Sequence, residues 1–266
     1  MNKKGIVFFD VDGTLIDWVR GISDPTEMTR ESIKKLQENG YLTFISTGRP
    51  KNLINESLKE LNTDGLICSN GAYVEMNNEV LVNESLENDK LTKLLDYLEE
   101  LNIEYMLESQ EKNYILNEDN KLVMEFVKEA NLDISNFSTN WKKGEVKASK
   151  IIAMAENKEG FNKVYEKFSN EGFAFLRNLK EEIFEINDKK FSKGYGVTKV
   201  LEKLDISSDK AYAFGDGDND MEMFQVVKHG IAMGNHYKGL EKVAFDITEN
   251  VENEGITKAL IKHGLI

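Results

Sequence analysis

Short apolar runs alternate with amphipathic stretches along the chain, and the apolar runs near its two ends stop in polar turns that contain glycine. The first, Gly5-Ile6-Val7-Phe8-Phe9, is short and rich in Phe, which predicts a strand covered on both faces rather than a helix. It feeds directly into Asp10-Val11-Asp12-Gly13-Thr14. A helix is predicted next, with Asp24 as N-cap, Pro25 in the first turn, Glu27 closing a capping box, and Asn39-Gly40 as the stop. Tyr41-Leu42-Thr43-Phe44-Ile45 reads as a second strand and ends in Ser46-Thr47-Gly48-Arg49. A helix from Pro50 to about Leu61 and a third strand, Leu66-Ile67-Cys68, ending in Ser69-Asn70-Gly71-Ala72, complete the series. Right-handed crossovers would make these strands parallel. Asp10, Thr47 and Ser69 then stand side by side on one sheet edge, where open α/β folds place their ligands.

From Tyr73 the pattern changes. Tyr73 to Met76 and Glu79 to Val82 flank Asn77-Asn78 as a hairpin, and the middle of the chain reads as α+β. A helix over 89–101 carries Leu91, Leu94, Leu95, Leu98 and Leu101 at helical spacing. Strands are predicted at 103–107, 114–116, 150–154, 173–176 and 183–186, with helices near 122–130 and 161–168. The first pattern resumes at Ser192-Lys193-Gly194, which opens a helix to about Leu204. Ala211-Tyr212-Ala213-Phe214 then delivers Gly215-Asp216-Gly217-Asp218-Asn219-Asp220. A helix from Met221 to Val227, strands at 230–233 and 245–247, and a helix from Ile256 to His263 follow. The expected architecture is α/β: a Rossmann-like parallel sheet over 1–82 and 189–266, with an inserted α+β domain over 83–188.

Composition narrows the function classes. The 266 residues suit one or two domains, and 40% hydrophobic residues with two prolines suit a globular chain. A net charge of -13 repels nucleic acid and anionic membrane, so neither is an expected partner. A phosphorylated ligand would have to be drawn in by a metal or a local cation. The one cysteine, Cys68, excludes an internal disulfide framework and fits a reducing compartment. Its neighbours Leu66 and Ile67 make it a buried strand residue. Lys3 and Lys4 imitate the start of a signal peptide, but Asp10 and Asp12 interrupt it too early. With no apolar run of about 20 residues, the expectation is a soluble cytoplasmic protein.

The clustered carboxylates suggest a metal. Mg²⁺ takes oxygen ligands and keeps several waters, so a few carboxylates hold it beside a phosphate. Asp10, Asp12 and Asp216 are the expected suppliers, with Asp218 and Asp220 competing for the third place. Thr47 offers a hydroxyl, the turns at Gly48 and Gly13 offer backbone N–H groups, and Lys193 offers an ammonium to phosphoryl oxygens.

Four blocks, in this order, resemble the haloacid dehalogenase superfamily of phosphatases, and the chain is similar to its Cof-type hydrolases. Asp-x-Asp-Gly-Thr at 10 to 14 resembles the first motif, Thr47 in Ser-Thr-Gly-Arg the second, Lys193 the third, and Gly-Asp-Gly-Asp-Asn-Asp at 215 to 220 the fourth. Ser-Asn-Gly-Ala at 69 to 72 and Ala-Met-Gly-Asn at 232 to 235 are further Cof-like turns, and the insertion resembles a C2 cap. Asp188-Lys189-Lys190 departs from the glycine-containing turn often found before the motif lysine.

The resemblance implies phosphoryl transfer in two steps. Asp10 is the nucleophile and forms an aspartyl-phosphate, and Asp12 is the general acid and then base. The metal is held by the Asp10 and Asp216 carboxylates and the Asp12 backbone carbonyl. Thr47, Gly48, Lys193 and Asn219 bind the phosphate, and Asp218 or Asp220 orients a metal-bound water. Ser69 and Asn70 shape the neighbouring loop. Arg49 and Trp18 flank the first two motifs and face either substrate or packing. In the insertion, Arg177 is a candidate substrate contact, against the alternative of a pair with Glu181 or Glu182. The expected substrate is a small phosphorylated metabolite, a sugar phosphate above others. A sugar phosphomutase of the same superfamily shares every motif. A receiver-type domain would be an Asp-phosphorylated switch, but it gives no role to Asp12 or to a large insertion. A metal-dependent glycosyltransferase would leave Thr47, Lys193 and the second acidic cluster without a joint role.

Overall fold

The computed structural model describes residues 3–129, 132–177 and 182–266, apart from the side chain of Arg177. In chain order the first elements are β1 (Gly5–Phe9), α1 (Glu27–Glu38), β2 (Tyr41–Ser46), α2 (Glu56–Lys59), β3 (Gly65–Cys68), β4 (Tyr73–Met76) and β5 (Glu79–Asn83). The middle of the chain forms α3 (Asn88–Glu100), β6 (Glu104–Glu108), β7 (Asn113–Ile115), α4 (Lys121–Glu129), β8 (Phe137–Ser138), β9 (Lys150–Met154), α5 (Lys158–Phe168), β10 (Phe173–Arg177) and β11 (Ile183–Asp188). The last part forms α6 (Lys193–Leu204), β12 (Ala211–Gly215), α7 (Met221–Val226), β13 (His229–Ala232), β14 (Asp246–Ile247) and α8 (Gly255–Lys262).

These elements form two compact units. One comprises Met1–Arg49, Ile54–Asn83 and Phe191–Ile266, the other Pro50–Leu53 and Glu84–Lys190. The first unit holds an eight-stranded sheet ordered β14-β13-β12-β1-β2-β3-β4-β5. From β14 to β3 all neighbours are parallel, and β4 and β5 add an antiparallel hairpin at the far edge. Strand β1 is fully buried because both sheet faces are covered, which is why its sequence is continuously apolar. One apolar cluster joins Val7, Phe9 and Ile45 to Ile33 and Leu36 of α1 and Leu260 of α8. The other joins Ile6, Phe8 and Phe44 to Val197 and Val200 of α6 and Phe224 of α7. The strand order reverses at β1, with β2 on one side and β12 on the other. Ligand crevices of open α/β sheets lie at such a switch point.

The second unit holds a six-stranded sheet ordered β10-β11-β9-β6-β7-β8, antiparallel except where β7 meets β8. One of its faces packs on α3 and α5 through Leu94, Leu98, Phe161 and Val164.

Several elements differ from the pattern-based expectation. The helix expected from Pro50 to Leu61 is a short 3-10 turn, Lys51–Leu53, followed by the single turn α2. Asn55 sits extended at the N-cap position of α2 and breaks the run, with no hydrogen bond from its side chain to the helix. Helix α1 is capped by Thr26, not Asp24: the Thr26 hydroxyl accepts from the Thr29 N–H at 3.1 Å. Pro25 therefore precedes the helix. Strand β8, absent from the pattern-based expectation, has two residues and so carries no readable period. Cys68 is buried at the end of β3, as expected. No helix among the described residues is long and apolar enough to cross a membrane.

Candidate active site

The first acidic motif begins where β1 stops. Phe9 is in register with Ile45 of β2 and Phe214 of β12, and it stacks on the Phe214 ring with centroids 5.3 Å apart. The Asp10 N–H donates to the Phe214 carbonyl at 3.0 Å, which fixes the residue as the strand ends. Gly13 turns the chain at φ +87°, and a Cβ there would overlap the Asp216 carboxylate. The two acidic loops approach this closely only because residue 13 has no side chain. Thr14 Oγ1 donates to Asp216 Oδ1 at 2.9 Å and ties the loops together.

Lys193 is the first residue of α6, whose N-cap Ser192 accepts from the Tyr195 N–H at 3.1 Å. A Cβ on Gly194 would come within 2.6 Å of the Glu222 carbonyl oxygen, so glycine lets α6 approach α7 closely and seats the lysine. The Lys193 ammonium is 1% exposed and donates to Asp10 Oδ1 and Asp220 Oδ1, both at 2.6 Å. Asp220 is fully engaged. Its other oxygen accepts from the backbone N–H groups of Asp216 and Gly217, each at 2.9 Å.

One carboxylate oxygen from each of Asp10, Asp216 and Asp220 lies within 4.8 Å of the others. Burial pushes the Asp10 carboxyl well above its ordinary value, and the charges of Asp220 and Asp216 add to this against the opposing pull of Lys193. Burial, then the Asp220 charge, pushes Asp216 up to about 7. Burial would lower Lys193, but Asp10 and Asp220 outweigh it and hold the ammonium above the usual lysine value. Three carboxylates against one ammonium carry two negative charges when all are ionised. An all-oxygen donor set with that charge fits a hard divalent cation.

The Asp12 side chain is not part of the carboxylate cluster, whose third member is Asp220. The Asp12 carboxylate instead accepts two bonds from Arg49, Nε at 2.9 Å and Nη2 at 2.5 Å, in a bidentate fork. The Arg49 guanidinium lies 6.0 Å from the Trp18 ring centroid. Thr47 is buried, donates its N–H to the Ile67 carbonyl at 2.8 Å, and accepts the Arg49 N–H on its hydroxyl at 3.2 Å. Asn219 donates to Asn70 Oδ1 at 3.1 Å, and Gly48 lies against both side chains. Asp218 is exposed and stands apart from the buried cluster. Arg177 ends β10, but its side chain and Glu181 lie outside the described residues.

From sequence, Asn70 has only a loop-shaping place beside the site, and the Thr14 side chain has no role of its own. Asn70 has φ +51° and is 3% exposed. Its signal was the Ser-Asn-Gly turn, because Asn tolerates the left-handed region that such a turn needs.

The sheet reverses its strand order at β1 and gathers buried carboxylates and a lysine at that edge. The chain belongs to the haloacid dehalogenase-like hydrolases, whose family model matches residues 7–260. It is an enzyme of the phosphatase type within that family. It is 29% identical over 268 residues to YkrA of Bacillus subtilis (strain 168), provisionally named a phosphatase, with 100% of both chains covered. It is 27% identical to YitU of the same organism, named 5-amino-6-(5-phospho-D-ribitylamino)uracil phosphatase, with 97% of each covered. A crystal structure of a protein from Geobacillus kaustophilus HTA426 superposes with a TM-score of 0.86 at 27% identity, covering 98% of this chain and 99% of that one.

Proposed function

We propose that the chain is a Mg²⁺-dependent phosphomonoesterase that hydrolyses a small phosphorylated metabolite, a sugar or polyol phosphate, through an aspartyl-phosphate on Asp10. The observation that carries this is the 2.6 Å contact between Lys193 and a buried Asp10 that shares its surroundings with Asp216 at the switch point of the sheet. An Asp10 carboxylate oxygen attacks phosphorus while the bond to the alcohol oxygen breaks, and Asp12 gives that oxygen a proton. Asp12 then takes a proton from the water that attacks the acyl phosphate, releasing inorganic phosphate and restoring Asp10. Lys193, Thr47, the Gly48 N–H and Asn219 offset the negative charge on the transferred group. Asp10 and Asp216, with the Asp12 carbonyl, would hold Mg²⁺, which neutralises charge on phosphate and carboxylates when bound. Asp220 positions Lys193 and the 216–217 backbone. Asp218, exposed on the same loop, is left to orient water. Arg49 directs the Asp12 carboxylate by its two bonds.

In this reading residues 1–82 and 189–266 carry the chemistry, and 83–188 select the leaving group. The selection has to come from outside the phosphate site, because every monoester offers the same phosphate. The naming of YitU for a phosphate on a ribityl chain supports a hydroxyl-rich substrate. The acidic surface and the single cysteine support work in the cytoplasm on small molecules, with neither nucleic acid nor membrane as partner.

The test is a panel of phosphate esters assayed with Mg²⁺ and with chelator. Release of inorganic phosphate from small polyol phosphates, lost in chelator and restored by Mg²⁺, is the expected result. Full turnover in chelator would contradict the metal assignment, and isomer in place of free phosphate would make the chain a mutase.

A further inference from the structure

Consecutive residues after β3 hold their backbones in the left-handed region: Ser69 at φ +48°, Asn70 at +51° and Gly71 at +91°. Glycine takes that conformation freely, asparagine tolerates it, and serine adopts it at a cost. Such strain persists where the surroundings hold it in place. Here the turn ties together the loops of the candidate site. The Ser69 N–H donates to the Arg49 carbonyl at 2.9 Å and the Asn70 N–H to the Thr47 carbonyl at 3.1 Å, so both ends of the Thr47-Gly48-Arg49 turn are fastened to it. A Cβ on Gly71 would overlap the carbonyl oxygen of Ser192, the N-cap of the helix that begins with Lys193. All of these residues, and Asn219, belong to the first compact unit.

The side chain of Asn70 adds a further link. Its Oδ1 accepts from Asn219 Nδ2 at 3.1 Å. The oxygen of the Asn219 amide turns toward its own loop, where a Cβ on Gly217 would come within 2.6 Å of it. An amide presents either its NH2 or its oxygen to a neighbour, and only the NH2 attracts an anion. Because Asn70 Oδ1 accepts, the nitrogen of Asn219 is the end held on the side of Gly48, where a Cβ on that glycine would lie 3.7 Å from it. One of the two protons on this nitrogen goes to Asn70, and the other remains for an oxygen of a ligand.

We infer that Asn70 is a positioning residue for phosphate binding: it orients the Asn219 amide so that its NH2 faces a phosphoryl oxygen. The inference rests on the phosphatase reading for the nature of the anion. Without the Asn70 oxygen the Asn219 amide turns freely, and in its other orientation it presents a carbonyl oxygen that repels the phosphate. The left-handed backbone serves two tasks at once. Its N–H groups hold the Thr47 turn, while the side chain of residue 70 meets Asn219.

The test is calorimetric titration of the full chain with inorganic phosphate in the presence of Mg²⁺, for the parent, Asn70→Gly, Asn219→Ala and the double variant. Glycine takes a positive φ without strain, so the turn and its backbone bonds survive the first change. Asn70→Gly and Asn219→Ala should each weaken phosphate binding by about 10-fold, the order of one hydrogen bond to a charged group. The double variant should bind no more weakly than Asn219→Ala alone, because Asn70 acts through that amide. A structural role for Asn70, independent of Asn219, predicts that the losses multiply to about 100-fold in the double variant. Multiplied losses, an unchanged affinity in Asn70→Gly, or no phosphate binding by the parent would overturn the inference. The titration needs no turnover. A parent that binds phosphate with the expected pattern across the variants but releases none from any ester would refute the phosphatase reading and leave the role of Asn70 standing.

Discussion

Asp10→Asn is expected to abolish phosphate release while the protein stays folded. The amide is nearly isosteric with the carboxylate but cannot attack phosphorus, so the loss falls on the chemical step rather than on binding. The structure indicates why the fold should tolerate it. Asp10 is 4% exposed, and burial pushes its carboxyl above the ordinary value while Lys193 pulls it back. Asparagine removes that buried charge and keeps an oxygen for Lys193, whose ammonium also retains Asp220 at 2.6 Å. A melting temperature equal to or above that of the parent, with no measurable turnover, is the expected pair of results. Retained activity would place the nucleophile elsewhere.

Asp12→Ala should lower kcat by about 10²- to 10⁴-fold, the usual span for a lost general acid and base. The loss should shrink with aryl phosphates, whose leaving groups depart without a proton. Stability should hardly change. The Asp12 side chain is 48% exposed, and an ion pair in such a setting contributes about 0 to 1 kcal/mol. Removing it leaves Arg49, whose side chain is 17% exposed, with the Trp18 ring 6.0 Å away. Comparing kcat for an alkyl and an aryl phosphate separates the two roles open to Asp12. An equal loss on both would mean that the residue acts only by holding Arg49.

What the sequence made legible were features set by neighbours in the chain. Strand β1 and its Asp10, β2 with Thr47, β12 with Asp216, and Lys193 at the start of α6 all follow from short apolar runs that stop at polar turns. Their parallel order followed from the handedness of crossovers. What stayed hidden depends on partners far apart in the chain. Arg49 reaches Asp12 across 37 positions, and Asp220 reaches Lys193 across 27, so no local pattern announces either pair. The same holds for Lys150 and Glu108, which the register of β6 and β9 sets opposite each other and buries. The helix expected after Pro50 is broken at Asn55, whose backbone is extended. In that stretch Leu53, Ile54, Leu58 and Leu61 keep a spacing close to helical, and all four are buried without one continuous helix.

The central claim, that phosphate passes through Asp10, is tested most directly by trapping the intermediate. The parent, mixed with a good substrate and Mg²⁺ and quenched during turnover, is treated with borohydride, which reduces an acyl phosphate to an alcohol. Peptide mass spectrometry then locates the reduced residue. The account predicts homoserine at position 10 only when substrate is present, and none in the Asp10→Asn variant. Reduction at another carboxylate, or rapid phosphate release with Asp10 unmodified at every quench time, would contradict it.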